Sequence, residues 1–345
     1  MDEIKPIFDK NCIPVVFSSD EGYAPYLSVA LISLRENASK EHSYDLIVLD
    51  GGLSEKTKNT FLDIFAGKEN FSLRFVKATI DPDLEMRLKK TTRNHQSIET
   101  YYRLFVPNIL YAYDKCIYLD VDIVINCNLL ALYYCDLSEH ILAAVKDEGV
   151  GGGCNRKDND VLVYTSKTLR MENGHNYFNA GVLVLNLKRM RDIGFYEMIL
   201  DVLRKIPSPP RHDQSILNSI IDGDYYKLGY TYNVQWFFSK NERVHFTKEM
   251  DLATKNPSII HYITDKKPWN YRLNHLADYF WKYAQYSPYY EEILCAYKKA
   301  FFEENLRNKK LYKKYRIRTL FSFGLFPRWK RKMKLYAERI DHLCF

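Results

Sequence analysis

The order of strand-like and helix-like segments near the start of the chain constrains its fold most. Two short apolar runs, Ile13–Phe17 and Asp45–Leu49, are typical of buried strands, and Phe71–Val76 is a third. Between them lie Tyr23–Arg35, whose apolar residues recur three and four positions apart, and a second helix that begins near Ser54. This β-α-β-α-β order predicts a parallel sheet with right-handed crossovers. Open sheets of this kind bind ligands beyond the carboxyl ends of their strands.

The same alternation continues through the middle of the chain, which predicts an α/β fold with a mostly parallel central sheet flanked by helices. Prolines stop one helix before Arg211, and Asp213 is placed to cap the next. The further predicted strands are Cys116–Leu119, Ile141–Val145, Ala180–Leu187 and Ser258–Tyr262, and the further predicted helices are Thr100–Leu110 and Gln214–Ile221. We expect a single catalytic domain over residues 1–270, a helical connector over 271–297 and a basic helical tail over 298–345.

Composition excludes several classes of protein. Hydrophobic residues make up 46% of the 345 positions, enough for a sizeable core. No run of about 18 apolar residues occurs, and 14 glycines with 12 prolines are too few for a collagen-like or low-complexity chain. The first residues contain no apolar stretch of signal-peptide length, and the seven cysteines show no Cys-x-x-Cys spacing. These features predict reduced thiols and a cytoplasmic protein.

The net charge of +7 is concentrated at the carboxyl end. Residues 298–345 hold 15 Lys or Arg and only 4 Asp or Glu, whereas residues 1–297 are slightly acidic. Such a tail could bind nucleic acid or pack on the body as a solvated helix, but aromatic residues have no clear role in binding phosphate alone. We therefore expect the tail to lie on an anionic membrane, at the inner face of the cell membrane, and expect no nucleic acid. The interleaved apolar residues are Leu320, Phe321, Phe323, Leu325, Phe326 and Trp329.

A pair of carboxylates is the first indication of a functional site in the sequence. In extended backbone, Asp120 and Asp122 project to the same side at the end of a strand. Carboxylates about 4 Å apart repel by roughly 4 kcal/mol at an effective dielectric of 20, so a divalent cation between them is favoured. The alternative is that both simply end a strand. His261 closes a later strand and Lys267 follows it, a set that suits Mn²⁺ and a diphosphate.

Six motifs, in the same order, make the sequence resemble the family 8 glycosyltransferases, which include glycogenin and the bacterial lipopolysaccharide galactosyl- and glucosyltransferases. The motifs are residues 17–24, 100–104, 118–122, 177–182, 212–215 and 261–269. The resemblance implies a GT-A-like domain that moves galactose or glucose from a UDP-sugar to a saccharide hydroxyl with retention, using Mn²⁺ or, as a second candidate, Mg²⁺. Similar tails in family members that build lipid-linked glycans imply a lipid-linked acceptor, such as lipopolysaccharide.

The resemblance also assigns roles to single residues. It implies that Asp20 and Tyr23 hold uracil and ribose, and that Arg103, Asn179 and Lys267 lie by the donor sugar and diphosphate. The implied metal ligands are Asp120, Asp122 and His261. Ser18 and Val121 are further nucleotide-binding residues, and Asp120 is counted with them as well as with the metal ligands. The implied catalytic residues are Gln214, Asp213 and Asp147.

Two departures from the family pattern fall in these motifs. Gly22 stands where the family often has Asn, and Thr264 stands where it favours Gly. The amide of Gln214 is a poor nucleophile, so we expect front-face attack with Gln214 orienting the sugar, while Asp213 and Asp147 remain candidates for a covalent role. The glycine run of residues 149–153 lacks the residues of a phosphate loop, and we expect a mobile segment that closes over the donor.

Two other functions fit the same residues. One is a metal-dependent phosphohydrolase that cleaves a nucleotide sugar without a sugar acceptor. The other is a non-catalytic binding protein docked by its tail. No residue in the sequence distinguishes UDP-galactose from UDP-glucose as donor.

Overall fold

The computed structural model describes residues 4–91, 97–155, 157–235, 247–271, 274–321 and 331–337. The strands in this part of the chain are β1 Cys12–Ser19, β2 Ser43–Asp50, β3 Phe71–Lys77, β4 Lys115–Leu119, β5 Ile123–Ile125, β6 Leu142–Lys146, β7 Phe178–Asn186, β8 Tyr226–Lys227, β9 Val234–Gln235 and β10 Ile259–His261. The α-helices are α1 Ala24–Asn37, α2 Glu55–Ile64, α3 Pro82–Lys89, α4 Val106–Ile109, α5 Leu130–Tyr133, α6 Gly151–Asn155, α7 Asn159–Val163, α8 Leu187–Asp192, α9 Phe195–Lys205, α10 His212–Ile221, α11 Lys248–Lys255, α12 Ala277–Ala284 and α13 Tyr290–Phe321.

The main sheet has seven strands in the order β3-β2-β1-β4-β7-β6-β8. Strand β1 lies parallel to both β2 and β4, whereas β7 runs antiparallel to β4 and β6. The prediction of a mostly parallel sheet flanked by helices is therefore confirmed. Because parallel strands end at the same edge, the residues that follow β1 and β4, Asp20 and Asp120, lie at one edge of the sheet.

A second, three-stranded sheet has the order β5-β10-β9. Strand β5 begins just after Asp122, and His261 at the end of β10 pairs with Ile123 in antiparallel register. The amide of Tyr262 donates to the carbonyl of Asp122 over 2.9 Å. This small sheet therefore brings the histidine to the acidic pair across more than a hundred residues of sequence.

The core forms two clusters of buried apolar side chains. One of them includes residues of α1, α12 and the start of α13, among them Phe280 and Ile293, which are each 1% exposed. Ser28 of α1 and Ser287, in the connection between α12 and α13, also share a hydrogen bond of 2.6 Å. The predicted connector, residues 271–297, thus packs on the body of the protein, and α13 continues without a break past position 298.

The described part of the tail is helical. Lys309, Lys310, Lys313 and Lys314 on α13 are exposed. Residues 331–337 form a further helical segment, whose Tyr336 ring stacks on Tyr315 with 5.7 Å between ring centres. Within the described ranges no helix combines the length and the apolar character needed to span a membrane. The predicted apolar residues Phe323, Leu325, Phe326 and Trp329 lie outside the described residues.

Two local predictions differ from the structure. The predicted helix Thr100–Leu110 is a 3-10 helix, Ile98–Phe105, followed by α4, because Pro107 is tolerated in the first turn of a helix and not in its interior. The glycine run of residues 149–153 is not an open loop, since Gly151 and Gly153 lie buried in α6. A Cβ on Gly151 would lie 2.8 Å from the carbonyl oxygen of His175, so close packing explains that glycine.

The buried ion pair between β2 and β3 gives a test of the fold. Asp45 is fully buried and accepts hydrogen bonds from Arg74 Nη2 at 2.7 Å and from the Tyr113 hydroxyl at 2.6 Å. We expect Arg74→Met to lower the free energy of unfolding by about 3 kcal/mol, because it leaves a buried carboxylate without its cation. Urea denaturation measures this. The control Lys205→Met removes an exposed partner of Asp201 and should leave the free energy of unfolding nearly unchanged; equal losses for the two variants would contradict the prediction.

Candidate active site

Two adjoining cavities lie at the carboxyl edge of the main sheet, with volumes of about 150 and 730 Å³. Their walls share Thr100, Arg103, Asp120 and Asp122. Every predicted site residue lines one of them. Ser18, Asp20, Tyr23 and Val121 line the smaller cavity, and Asp147, Asn179, Asp213, Gln214, His261 and Lys267 line the larger.

Asp120, Asp122 and His261 form a cluster whose ligand atoms all lie within 4.8 Å of one another. His261 Nε2 is 3.2 Å from Asp122 Oδ1 and 3.5 Å from Asp120 Oδ2. The other ring nitrogen, Nδ1, is 3.0 Å from Asn233 Oδ1. Because that amide oxygen can only accept, Nδ1 carries a proton, and Nε2 is the atom that faces the carboxylates.

Gly181 leaves room for this cluster. A Cβ at this position would lie 2.1 Å from His261 Cε1 and 2.8 Å from Asp120 Oδ2. The carbonyl of Gly181 also accepts a hydrogen bond of 2.8 Å from the amide of Asp120, which fixes the start of the acidic turn. Two carboxylates and one imidazole around such a cradle form a donor set that suits a borderline divalent cation.

Asp122 remains ionised at neutral pH. Burial acts to raise the pKa of its carboxyl group, but the adjacent Lys267 ammonium and His261 more than offset this and hold the pKa well below its usual value. Lys267 Nζ contacts Asp122 Oδ2 directly. A cationic lysine thus stands beside the acidic pair, at the wall of the larger cavity.

Arg103 links Asp120 of the shared wall to Asp213 of the larger cavity. Its Nη2 is 2.7 Å from Asp120 Oδ1, its Nε is 2.9 Å from Asp213 Oδ2, and its guanidinium carbon lies 4.6 Å from the centre of the Tyr118 ring. Burial lowers the pKa of Arg103, but Asp120 and Asp213 raise it more, so the guanidinium stays charged. The planar guanidinium bridges the two carboxylates through different nitrogens and so holds both in fixed positions.

The sequence predicted Asp213 as the cap of α10, and this prediction is wrong. Helix α10 begins at His212, and Asp213 lies inside its first turn. The side chain points to Arg103, and its second oxygen accepts a hydrogen bond of 2.7 Å from the Thr100 hydroxyl. The ion pair with a buried arginine is a stronger partner for this carboxylate than an exposed helix end.

Gln214 is held in one orientation. Its Oε1 accepts a hydrogen bond of 3.0 Å from the amide of Ala180, so its Nε2 faces the cavity, 3.4 Å from Asp147 Oδ2 and 3.3 Å from the Tyr177 hydroxyl. Asp147 in turn accepts from the amide of Val150 over 3.0 Å. The neighbouring Asn179 accepts from Gly181 N and from Asn233 Nδ2, at 3.0 and 2.8 Å.

Sequence reasoning missed three residues of this site. Asn233 orients His261, Thr100 holds Asp213, and the buried Tyr177 contacts Gln214. Thr100 and Tyr177 lie within recognised motifs but were given no role of their own. Asn233 carried no signal, because it lies outside every motif and only the fold brings it to the histidine.

Comparison of the sequence with known protein families shows to which family the chain belongs. The profile of the family described as Glycosyl transferase family 8 matches residues 14–272. The chain belongs to this family. The match confirms the resemblance inferred from the six motifs, and it covers the main sheet, both cavities and all predicted site residues.

Proteins named as glycosyltransferases align with most of the chain. A Haemophilus influenzae protein named as a glycosyltransferase is 29% identical over 264 residues, 76% of this chain and 74% of its own length. Lipopolysaccharide 1,2-glucosyltransferase of Escherichia coli K12 is 24% identical over 264 residues, 75% of this chain and 73% of its own length. Both matches extend well beyond single motifs.

Solved structures of glycosyltransferases have the same fold. The galactosyltransferase LgtC, in complex with donor and acceptor sugar analogues, is 27% identical with a TM-score of 0.65, and the alignment covers 80% of this chain and 96% of that one. The bifunctional glycosyltransferase WbbM is 28% identical with a TM-score of 0.72, covering 85% of this chain and 53% of that longer one. The expectation of a GT-A-like α/β fold is therefore confirmed.

The departure at Thr264 can be tested through stability. This β-branched residue, at the wall of the larger cavity, has a φ of 69°, in the left-handed region that glycine adopts freely. We expect Thr264→Gly to raise the free energy of unfolding by about 1 kcal/mol, since it relieves this strain. Thr264→Ala keeps the Cβ and should give no such gain. Equal stability of the two variants in urea denaturation would contradict the explanation.

Proposed function

We propose that this family 8 enzyme transfers a hexose, galactose or glucose, from a UDP-sugar to a hydroxyl group of a saccharide acceptor, with retention of configuration. The observation that carries the proposal is the position of the Asp120, Asp122 and His261 cluster, in the walls between a small cavity and a large one. Such a position suits a diphosphate whose nucleoside lies on one side and whose sugar meets the acceptor on the other.

The donor set supports a divalent cation held by Asp120, Asp122 and His261. Mn²⁺ suits two carboxylates and an imidazole, and Mg²⁺ is the second candidate. Bound there, the ion would stabilise the negative charge that develops on the leaving diphosphate. Lys267 would contribute a further positive charge from the chain itself. Asp20, Tyr23, Ser18 and Val121 line the smaller cavity, which we assign to uridine.

The hydrogen bonds of the larger cavity favour front-face attack without a covalent adduct. Both oxygens of Asp213 are engaged, by Arg103 and Thr100, and the carbonyl oxygen of Gln214 is engaged by Ala180. The Nε2 group of Gln214 is therefore a donor that orients the sugar, with Asp147 beside it. We propose that the leaving phosphate accepts the proton of the acceptor hydroxyl. A trapped glycosyl-aspartate would contradict this mechanism.

We also propose that the acceptor is lipid-linked, as in lipopolysaccharide or another cell-surface glycan. Two observations support this. The relative from Escherichia coli is named as a lipopolysaccharide glucosyltransferase, and α13 presents exposed lysines beside the exposed apolar side chains of Phe302 and Leu306. A basic, partly apolar helix binds an anionic surface by charge and by burial of its apolar groups. The enzyme would then work at the cytoplasmic face of the membrane.

A pair of glycine variants tests the metal cluster. Gly181→Ala drives a Cβ into His261 and Asp120, so we expect Mn²⁺ to bind about tenfold more weakly or worse, and UDP-hexose hydrolysis and transfer to fall with it. The matched control is Gly229→Ala, where an added Cβ meets no atom within 4 Å. Mn²⁺ affinity is read by electron paramagnetic resonance, and turnover over a panel of UDP-sugars.

Three results would contradict the proposed function. Full turnover in Gly181→Ala despite weakened Mn²⁺ binding would separate the cluster from activity. UDP-sugar hydrolysis that no saccharide acceptor converts into transfer would favour a phosphohydrolase. Absence of any turnover in the unmodified enzyme with Mn²⁺ would favour a binding protein.

The membrane proposal predicts salt-sensitive flotation with anionic vesicles. Four tail lysines, Lys309, Lys310, Lys313 and Lys314, are exposed, and each contributes about 1 kcal/mol near an anionic surface. We expect their joint replacement by Gln to weaken flotation with phosphatidylglycerol vesicles, so that it is lost at a lower salt concentration. The control replaces four exposed lysines of the body, Lys56, Lys68, Lys77 and Lys248, and should float normally. Equal flotation of both variants would contradict the assignment to the tail.

A further inference from the structure

A group of residues in the wall of the larger cavity has no role in the mechanism given above. We call it the outer wall, because its residues are exposed or half-buried: Asp160, Val161, Tyr164, Pro210, Arg211 and His212. None of these described residues lines the smaller cavity. In the proposed function the nucleoside lies in the smaller cavity and the diphosphate lies at the metal cluster. The outer wall is therefore the part of the site that is left for the acceptor.

The outer wall contains a cation that no carboxylate neutralises. Three lysine or arginine side chains line the larger cavity, and two of them, Arg103 and Lys267, pair with carboxylates of the site. The third is Arg211, whose side chain forms no ion pair within the described part of the chain. Its positive charge and its N–H donors are therefore available to a ligand in the cavity.

Contacts around Arg211 hold it at the cavity. Its guanidinium carbon lies over the ring of Tyr164, 5.8 Å from the ring centre. The Tyr164 hydroxyl is in turn fixed by Ser215 Oγ at 2.8 Å and by the Tyr177 hydroxyl at 3.1 Å. The amide of Arg211 donates to the same Ser215 Oγ over 2.9 Å. A guanidinium that lies over an aromatic ring keeps the N–H groups at its edge free to donate to an anion.

The charges of the donor indicate which substrate meets Arg211. A donor galactose or glucose is neutral, and the diphosphate has the metal cluster and Lys267 as its partners in the proposed function. Arg211 lies further along the wall, immediately before α10, and reaches Gln214 only through Tyr164 and Tyr177, whose hydroxyl is 3.3 Å from Gln214 Nε2. An anion beside Arg211 must therefore belong to the acceptor.

We propose that the acceptor saccharide carries a negatively charged group, a phosphate ester or a carboxylate, and that Arg211 binds this group and selects charged acceptors over neutral ones. The proposal rests on the function given above, in which a saccharide hydroxyl attacks the donor. A guanidinium forms two parallel hydrogen bonds with either anion. Asp160 in the same wall repels an anion, so this residue supplies a probe of opposite sign.

Binding of small sugars to the enzyme loaded with Mn²⁺ and UDP tests the proposal without the complete acceptor. Bound UDP keeps the charged group of the titrant away from the metal cluster. The titrants in calorimetry are glucose, glucose 6-phosphate and glucuronic acid, with galactose, galactose 6-phosphate and galacturonic acid as a second set. We expect a charged sugar to bind about tenfold more tightly than its neutral counterpart, and the difference to shrink as salt is added. The preferred sugar distinguishes phosphate from carboxylate.

Substitutions in the outer wall assign the preference to a residue. Arg211→Gln should weaken binding of the charged sugar about tenfold and leave the neutral sugar unchanged, and Arg211→Lys should give a loss of about threefold, since it keeps the charge without the fork. Asp160→Asn should strengthen binding of the charged sugar. The control is Arg204→Gln, which removes an exposed arginine of α9 outside the cavity walls and should change neither affinity.

The possible outcomes are distinguishable. If the unmodified enzyme binds neither Mn²⁺ nor UDP, the proposed function fails together with this inference. If it binds both, and charged and neutral sugars bind equally or not at all, only this inference is overturned. A preference for charged sugars that persists in Arg211→Gln would place the anion elsewhere in the cavity and overturn the role of Arg211. Equal losses for charged and neutral sugars, with a lower melting temperature, would make Arg211 a structural residue and overturn it as well.

Discussion

The compensation of carboxylate charge by a few buried cations is the interaction on which the rest of the site depends. Asp120 and Asp213 share Arg103, and Asp122 contacts Lys267 and His261. Without these cations, three carboxylates at one edge of the sheet would repel one another and pay the cost of leaving water. Because Lys267 and His261 lie beside Asp122, the pKa of this carboxyl group stays well below its usual value, and the group is in the state that a cation or a diphosphate-bound cation requires.

The backbone is shaped around these charges. Gly181 leaves the space that His261 and Asp120 occupy, and the antiparallel pairing of β5 with β10 sets the distance between the acidic turn and the histidine. The backbone amides of Ala180 and Val150 fix the side chains of Gln214 and Asp147 through hydrogen bonds. Preorganised groups of this kind stabilise developing charge without having to reorganise during the reaction. Because the chain belongs to family 8 and these groups line its two cavities, we interpret the arrangement as the active site of a glycosyltransferase.

The fold was largely predictable from local patterns. The strands β1, β2 and β3 and the helix α1 follow directly from apolar runs and from three-and-four spacing, and Ser54 accepts from Thr57 N as a cap should. The segment at residues 100–110 was harder, because a proline divides it in a way that periodicity alone does not show. The helix at residues 151–155 was not predicted, since only the positions of His175 and Val161 show that the space around Gly151 and Gly153 is filled.

The sequence by itself determined the family, most strands of the main sheet along the chain, and the grouping of Asp120, Asp122 and His261, because these depend on residue types and spacings that can be read without the fold. Asp120 and Asp122 are recognisable as a pair in the sequence because residues two positions apart in extended backbone project to the same side. Only the tertiary structure decided the partners of these groups. Asn233 orients His261, and Thr100 and Arg103 hold Asp213. Such contacts arise where chain segments far apart in sequence meet. The free-energy cost of burying a charged group, and the gain from pairing it, exist only once that environment has formed.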